Sequence, residues 1–262
     1  MFKFCSLYSG SSGNSSLIQT ENTKILVDVG ESAKKIADAL NSINIEPTQI
    51  DAILITHEHS DHTKGISTFS KKYNIPVYAN KETWNSLKQH KEKLTEENIK
   101  YFTFNKFNIG DLSIVPFSIP HDASNPCGFN VYHKDKKISI ATDIGHMTSE
   151  IVENLTNSSF VLLESNYDLN VLKCSRYPYP LKQRISGPNG HLSNDVAGKT
   201  ISYLAKNGLN TVMLGHLSKE NNFPELAYKT VVEHLIKNNI NNDNFKLSVA
   251  DRYNVSPIID IG

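Results

Sequence analysis

The stretch Ala52-Ile53-Leu54-Ile55-Thr56-His57-Glu58-His59-Ser60-Asp61-His62 joins a short apolar run to a dense cluster of imidazoles and carboxylates. Residues 52–55 are aliphatic, partly β-branched and bounded by polar neighbours, a pattern that predicts a buried strand ending near Thr56. Three histidines and two acidic residues therefore lie at or just beyond a strand end. This density of metal-competent side chains predicts a metal site.

The spacing within the cluster predicts how its side chains divide between two ions. Side chains alternate along an extended segment, so His57 and His59 face the same side and can bind one ion together. Asp61 and His62 follow where the chain turns, and residues 63–73 have the spacing of a helix that begins just past His62. We therefore expect Asp61 and His62 to reach a second ion beside the first.

Three further metal-competent side chains each follow an apolar run that predicts a strand. They are His121 after residues 113–120, Asp143 after residues 138–142 and His216 after residues 211–215. Any one of them alone is compatible with a structural role such as capping. Together with the cluster they make five histidines and two aspartates. That set is sufficient for two ions with a shared carboxylate and a position left for water, as in catalytic metal sites.

Composition narrows the metal and the compartment. The ligand set contains only histidine and aspartate, which suits two divalent ions of zinc, manganese or iron without selecting among them. The three cysteines, Cys5, Cys127 and Cys174, show no paired spacing, so neither a disulfide framework nor a zinc knuckle is predicted. The first 16 residues lack the apolar segment of a secretory signal, and no membrane-spanning run follows. These features predict a cytoplasmic protein that does not bind a membrane.

Charge and aromatic content leave the substrate open. The chain has 262 residues with 27 basic and 27 acidic side chains, so its net charge offers no argument for or against nucleic acid. Its eleven tyrosines and eleven phenylalanines are scattered and do not form a recognisable stacking platform.

The order of predicted elements indicates an α/β protein in which β-rich segments alternate with helices. Strands are predicted at 2–8, 16–20, 24–29 and 77–79, and helices at 32–43, 81–97, 196–206 and 223–238, the last followed by a closing strand. No linker marks a boundary, so we expect residues 1–262 to form a single domain.

One internal similarity indicates a duplicated architecture. Gly13 and Ser15-Ser16-Leu17, followed by Lys24 to Asp28-Val29-Gly30, match in spacing Gly128, Asn130-Val131-Tyr132 and Ser139 to Asp143-Ile144-Gly145. Each segment predicts a hairpin whose second strand ends in Asp, an apolar residue and Gly. Two β-rich halves of this kind would stack sheet on sheet with helices outside, which is a four-layer αββα sandwich.

The motif Thr56-His57-x-His59-x-Asp61-His62 after a strand, with His121, Asp143 and His216 in order, resembles the metallo-β-lactamase superfamily of dinuclear metallohydrolases. The resemblance covers nearly the whole chain. It implies one metal site formed by His57, His59 and His121 and a second formed by Asp61, His62 and His216. It also implies that Asp143 bridges the two ions.

Other segments resemble the YycJ (WalJ) branch of that superfamily, which implies a DNA exonuclease acting 5′ to 3′ with DNA as its partner. They are Ser9 to Ser15, His121-Asp122-Ala123, Tyr177 to Lys182 and Gly190 to Asn194. One position departs from the branch pattern, since Tyr167 stands where histidine is usual. Glu164 and Asp168 flank that position and are candidates for supporting the imidazoles, with a surface loop as the alternative.

Several residues are candidates for catalysis and substrate binding. Asp61 would orient a metal-activated water, and His191 would hold a phosphate oxygen or protonate the leaving group, with helix capping as the alternative. The helix predicted after Ser193 would offer free backbone N–H groups to a phosphate beside His191. Further donors are expected from Ser11, Ser12 and Asn14, unless that run is an ordinary turn. Lys182 and Arg184 supply local positive charge that would follow a nucleic-acid backbone, with an ordinary solvated surface as the alternative.

Two other function classes fit parts of the sequence. The same dinuclear centre would serve a small-molecule thioester or lactam hydrolase, although the carboxyl-terminal region contains only a helix and a closing strand. A non-catalytic interaction protein would be favoured by the loss of a ligand position, but all seven are present.

Overall fold

The structure, a computed structural model, describes residues 1–240 and 245–262. Within these residues, fourteen strands form two seven-stranded mixed sheets. The first sheet, in spatial order β14-β1-β2-β3-β4-β5-β6, contains Ile259–Asp260, Lys3–Tyr8, Ser15–Gln19, Lys24–Val27, Ala52–Leu54, Val77–Ala79 and Ile99–Tyr101. The second, in order β13-β12-β11-β10-β9-β8-β7, contains Lys246–Val249, Thr211–Gly215, Phe160–Glu164, Lys136–Ala141, Cys127–His133, Leu112–Ser118 and Phe107–Ile109.

Ten α-helices lie within the described residues. In chain order, α1 to α10 are Ala33–Ser42, Ser60–Thr63, Ile66–Tyr73, Lys81–Ser86, Lys88–Lys91, Ser149–Leu155, Leu169–Cys174, Tyr179–Ser186, Asn194–Lys206 and Pro224–Lys237. None of them is long and apolar enough to cross a membrane.

Three apolar cores separate four layers and confirm the αββα sandwich. The first lies between the first sheet and helices α1, α3 and α4, with Trp84 fully buried in it. The second fills the space between the sheets, where the rings of Phe4 and Phe160 pack with centroids 4.5 Å apart. The third lies between the second sheet and helices α6, α9 and α10. Each sheet therefore buries both faces, which explains the continuous apolar strands.

Most predicted elements are confirmed within a residue or two, and two helices differ. The helix expected at 63–73 begins earlier, as the short α2, and is interrupted before α3 by Gly65, where a Cβ would overlap the Glu31 carbonyl. The helix expected at 81–97 is divided at Leu87, whose side chain is buried in the first core, and its second part ends at Lys91. Tertiary packing overrides helical spacing at both places. The region after α10 also holds two strands in different sheets instead of one closing strand.

The internal similarity corresponds to two matching antiparallel hairpins, β2–β3 and β9–β10. Each hairpin ends in an aspartate with a left-handed backbone, Asp28 at φ 63° and Asp143 at φ 61°. Each aspartate is followed two residues later by a glycine, and a Cβ there would overlap another loop: Gly30 lies against the Asp61 carbonyl and Gly145 against the Pro188 carbonyl. The repeat thus turns a carboxylate inward and lets a second loop approach closely.

Strand direction explains why the predicted site residues meet. Strands β3 and β4 are parallel, as are β10, β11 and β12. Strand β8 has the same direction as β10 because both are antiparallel to β9. The carboxyl ends of these strands lie on one edge of the sandwich, where open α/β sheets bind ligands.

Replacing Phe160 with alanine tests the core between the sheets. Phe160 is fully buried, so we expect the free energy of unfolding to fall by about 3–5 kcal/mol. Urea denaturation followed by circular dichroism and by Trp84 fluorescence measures the change. As a control, Tyr203→Ala on α9, where the side chain is 53% exposed, should change stability by less than about 0.5 kcal/mol. The single-domain prediction requires both probes to report one transition, and two separate transitions would contradict it.

Candidate metal centre

The cluster that follows β4 is divided between a loop and a short helix. His57 and His59 lie on the loop, and His59 occupies the residue before α2. Asp61 and His62 lie in the first turn of that helix. The turn brings all four side chains to the carboxyl edge of the first sheet, opposite His121, Asp143 and His216 from the second.

A first group of potential ligands consists of His57, His59 and His121. One nitrogen from each ring lies within 4.8 Å of those from the other two. His121 Nε2 and His59 Nδ1 are 3.3 Å apart. The three rings thus converge on one point, as the alternation of His57 and His59 predicts.

A second group consists of Asp61, His62 and His216. His216 Nε2 lies 3.4 Å from Asp61 Oδ2, and His62 Nε2 lies 3.5 Å from the same oxygen. Asp143 stands between the groups: its Oδ1 is 3.4 Å from His216 Nε2 and 3.7 Å from His121 Nε2, and its Oδ2 is 3.3 Å from His62 Nε2. The structure therefore brings all seven predicted ligands together.

Hydrogen bonds set the tautomers of two rings in the first group, those of His121 and His57. His121 Nδ1 donates to the Gly190 carbonyl at 3.0 Å, which leaves Nε2 with its lone pair. The Thr56 hydroxyl donates to Asp28 Oδ2 at 2.9 Å, so it can only accept from His57 Nδ1, 3.0 Å away. His57 Nε2 is therefore also available as a metal ligand.

Two buried carboxylates orient the remaining imidazoles. Asp28 Oδ2 accepts from His62 Nδ1 at 2.7 Å. Glu164 Oε1 accepts from His216 Nδ1 at 2.9 Å and from His191 Nδ1 at 2.8 Å. Such carboxylate–histidine pairs fix the ring and increase the basicity of the nitrogen that faces the metal.

The charge of these carboxylates changes the acid–base behaviour of the histidines. Burial alone would lower the pKa of His216, but Asp143, Asp61 and Glu164 raise it to about 10 when no cation is present. Asp143, Asp61 and Asp28 likewise hold the pKa of His62 well above its usual range against the effect of burial. By contrast, burial and the neighbouring His62 keep the pKa of His57 well below its usual range.

Two buried atoms at the centre indicate that the site suits a cation. Among the described residues, His57 Nε2 has no hydrogen-bond partner, and Asp143 Oδ2 lies 3.3 Å from His62 Nε2 without the geometry of a hydrogen bond, although both atoms are shielded from water. Buried polar atoms normally have partners, and a metal ion would satisfy both of these. In the part of the chain that the structure describes, these groups offer only histidine nitrogen and carboxylate oxygen as donors. The residues present therefore fit divalent ions.

Of the two candidates for supporting the imidazoles, Glu164 contacts them and Asp168 does not. Glu164 is fully buried, and its Oε2 also accepts from the backbone amides of Leu192 at 2.9 Å and Ile144 at 2.8 Å. Burial alone would raise its pKa, but His191 and His216 lower it to about 2. Asp168 instead caps α7 by accepting from the amides of Asn170 and Val171. Tyr167 between them is buried, and its carbonyl accepts from the Asn194 amide at 2.9 Å.

His191 lies beside the ligands without joining either group of three. Its ring lies 5.1 Å from that of His121 and 5.2 Å from that of His216, measured between centroids. Its side chain is 20% exposed, and the bond from Nδ1 to Glu164 directs Nε2 away from that carboxylate. His191 is thus a partly exposed imidazole at the edge of the centre.

The Ser11–Asn14 run forms a loop that contacts the cluster through only one of the three predicted donors. Asn14 is buried, and its side-chain nitrogen Nδ2 lies 3.3 Å from Asp61 Oδ2 and 3.1 Å from His62 Nε2. Ser11 and Ser12 are exposed at the tip of the loop. The contacts of Asn14 indicate a role in positioning Asp61.

The predicted phosphate seat at the start of α9 is largely occupied by protein groups. Ser193 Oγ accepts from the Val196 amide at 3.3 Å, and the Asn194 amide donates to Tyr167. The two basic residues before it are also engaged. Lys182 donates to the Lys173 carbonyl, and Arg184 pairs with Asp122 at 2.6 Å. The seat that we expected from the sequence is therefore not supported.

Asp28 is the functional residue that the sequence analysis missed. It marks the repeat in the sequence, yet no role at the centre was assigned to it. The signal was its equivalence to Asp143: two halves that each end a hairpin in Asp-x-Gly place both aspartates at the same edge. In the structure, one becomes a potential ligand and the other supports His62 and, through Thr56, His57.

Comparisons with known proteins agree with this geometry. A family model described as the metallo-β-lactamase superfamily matches residues 8–216. The chain is 40% identical over 237 residues to exodeoxyribonuclease WalJ of Streptococcus pneumoniae serotype 2, covering 89% of this chain and 88% of the relative. It is 32% identical over 233 residues to exodeoxyribonuclease YycJ of Bacillus anthracis, covering 88% of each. The crystal structure of the metallo-β-lactamase fold protein YhfI from Bacillus subtilis shares the fold, with a TM-score of 0.72 at 14% identity over 97% of this chain and 98% of that one.

The raised pKa of His216 predicts that metal binding releases protons. With a pKa of about 10, His216 carries a proton at pH 8 in the metal-free protein, and an ion that takes the Nε2 lone pair must displace it. Zinc affinity should therefore rise between pH 6 and pH 9, by about tenfold per pH unit for each proton displaced. Calorimetry in two buffers of different ionisation enthalpy at pH 8 counts the protons. His216→Asn should release fewer protons than wild type. His90→Asn, which lies outside the centre, should release the same number as wild type. Zinc binding without proton release would contradict the prediction.

Replacing Glu164 with glutamine tests its support of the histidines. Glutamine keeps the size but loses the charge that His216 requires, so we expect zinc affinity to fall by about 10–100-fold. Titration against a competing chelator measures the affinity, and circular dichroism verifies the fold. Asp168→Asn is the matched control, because Asp168 caps a helix and asparagine caps equally well. Equal zinc affinity in Glu164→Gln and wild type would exclude this role.

Proposed function

This chain belongs to the metallo-β-lactamase superfamily, in the branch that contains WalJ and YycJ, and we propose that it is a dinuclear metal-dependent phosphodiesterase acting as a DNA exonuclease. The observation that carries the proposal is the convergence of two groups of three ligands on either side of Asp143. The two relatives named as exodeoxyribonucleases support DNA as the substrate, and the family resemblance supports 5′-to-3′ cleavage.

We infer that seven residues hold the two ions. His57, His59 and His121 would hold one, Asp61, His62 and His216 would hold the other, and Asp143 would contribute to both. Zinc, manganese and iron all suit this donor set. When bound, two such ions lower the pKa of water and offset the negative charge of a phosphodiester.

The role proposed for Asp61 is to orient the attacking water. Its Oδ2 is held by the Asn14 amide at 3.3 Å and faces His216 at 3.4 Å. Because Asn14 and His216 restrict the carboxylate from two sides, it keeps one orientation in the turn that carries it. The 22% exposure of the Asp61 side chain leaves it accessible from the solvent side.

His191 is proposed to donate a proton to the leaving oxygen. Glu164 accepts the Nδ1 proton of His191, so Nε2 is the nitrogen from which a proton would move. The partial exposure of the ring allows substrate to reach it. Its contact with Glu164 supports this role over helix capping, since Nδ1 donates to a side-chain carboxylate.

We further infer that the protein acts in the cytoplasm. All three cysteines are free, and two of them are buried without a partner thiol. Unpaired cysteines are typical of reducing compartments, and DNA is the substrate of the named relatives.

Duplex DNA labelled separately at its 5′ and 3′ ends tests the proposed function. With zinc, manganese or iron, the wild-type protein should release nucleotides stepwise from the 5′ end. Asp61→Ala should lose activity by on the order of a hundredfold or more, because it removes both a ligand and the water-orienting group. His90→Ala, a histidine outside the centre, is the control and should keep full activity.

The outcomes separate the candidate functions. Release from the 3′ end would correct the polarity, and equal cleavage of RNA would broaden the substrate. No cleavage with any of the three metals would overturn the nuclease proposal and favour a small-molecule hydrolase.

Leaving groups of different basicity distinguish an acid from a phosphate contact at His191. His191→Ala should slow DNA cleavage by about a hundredfold if the imidazole protonates the leaving oxygen. The loss should nearly disappear with thymidine 5′-(p-nitrophenyl phosphate), because p-nitrophenolate leaves without a proton. An equal loss on both substrates would instead assign His191 to binding a phosphate oxygen.

A further inference from the structure

A cleft next to the metal centre is lined by two exposed aromatic side chains. Phe223 is 50% exposed and Tyr253 is 57% exposed, and both lie on the wall of a cleft of about 360 Å³. They are far apart in the sequence, where aromatic residues look scattered, and only the fold brings them together. We propose that this cleft binds the base of a nucleotide that flanks the scissile phosphate, an inference that rests on the proposed nuclease function.

Residues next to His216 in the chain or in contact with it line the cleft. Leu217 and Ser218, which follow His216 in the chain, form part of its wall. Ser9 forms another part, and its hydroxyl accepts from the His216 amide at 2.8 Å. The wall of the cleft thus begins at the residue that follows His216, a proposed ligand. A nucleotide whose phosphate lies at the metal centre would have this cleft beside it.

The lining suits a flat aromatic ligand. Aromatic side chains stack on any base with little dependence on sequence, which an exonuclease that removes successive nucleotides requires. Leu217, Pro224 and Ala250 add apolar surface to the two aromatic rings. The volume is at the lower end of the range for small-molecule sites, so the cleft suits a single nucleotide better than a duplex.

A basic side chain of the cleft, Arg252, is held in place by contacts with neighbouring loops. Arg252 Nη2 donates to the Leu217 carbonyl, and Nη1 lies 3.5 Å from Ser11 Oγ. The guanidinium packs on Gly10, where φ is +142° and a Cβ would overlap it. Arg252 is thus fixed between the cleft and the Ser11 loop, and its charge complements a phosphodiester.

The turn that carries Tyr253 is also built rigidly. Asp251 Oδ1 accepts from the amides of Tyr253 at 2.7 Å and Asn254 at 2.8 Å. This carboxylate oxygen is therefore engaged by the backbone, and the turn positions Tyr253 beside Arg252. A preformed aromatic wall loses little conformational entropy when a base binds.

Removing one base from the substrate tests the proposal. The protein is the Asp61→Ala variant. The probe is a duplex with a fluorophore at the 3′ end and an abasic residue at position 1 or 2 from the 5′ end. These two nucleotides flank the scissile bond. At one of these positions, loss of the base should weaken binding by about tenfold in fluorescence anisotropy. The ratio of the Kd for the abasic duplex to the Kd for the intact duplex is therefore about ten. Adding Phe223→Ala or Tyr253→Ala should reduce this ratio towards one, because the base no longer has its stacking partner.

The control and the remaining outcomes separate this proposal from the proposed function. Tyr203→Ala removes an equally exposed tyrosine from α9, outside the cleft, and should keep the tenfold ratio. The kcat/KM of the wild-type protein should likewise be about tenfold higher on the intact duplex than on the abasic duplex. Cleavage of DNA with no base dependence at either position, or with a dependence that Phe223→Ala and Tyr253→Ala leave unchanged, would overturn the base-binding cleft alone. No cleavage of intact DNA by wild type would overturn the nuclease function, and the cleft proposal with it.

Discussion

The structure depends on burying carboxylates next to imidazoles at one edge of the sandwich. Asp28, Asp143 and Glu164 are each less than 5% exposed, and an unpaired buried carboxylate is strongly destabilising. Asp28 and Glu164 are compensated by histidine N–H groups and backbone amides. Asp143 is compensated only in part, since its Oδ2 has no hydrogen-bond partner in the described chain. That remaining need is what makes the edge a site for cations.

The two halves of the fold meet this requirement in the same way. Each ends a hairpin in an aspartate with a left-handed backbone, and each follows it with a glycine that admits a neighbouring loop. His216 also has a left-handed backbone, at φ 54°. Left-handed conformations of these residues are unfavourable by about 1 kcal/mol each, and the surrounding sheets maintain them. The pairing of the halves therefore places side chains of fixed orientation on rigid strand ends, at residues whose backbone is strained.

The sequence predicts the parts of this centre that depend on local pattern. Strand ends follow from apolar runs, and the alternation of His57 and His59 follows from extended geometry, so the ligands and the four layers were predictable. Glu164 was one of two candidates for supporting the imidazoles, because it lies near Tyr167, the position that departs from the branch pattern. The break at Leu87, the engagement of the α9 amides by Ser193 and Tyr167, and the meeting of Phe223 with Tyr253 depend on tertiary contacts. Local spacing carries no information about such contacts.

The sharing of carboxylates determines how this chain can diverge. Asp28 supports His62 directly and His57 through Thr56, and Glu164 supports both His216 and His191. Loss of either carboxylate by one mutation would disturb two histidines at once, so the centre has no redundancy at these two positions. The rim formed by Ser11, Phe223 and Tyr253 supports none of them. If substrate binds at this rim, as we propose, its preference can change there while the metal centre is inherited unchanged.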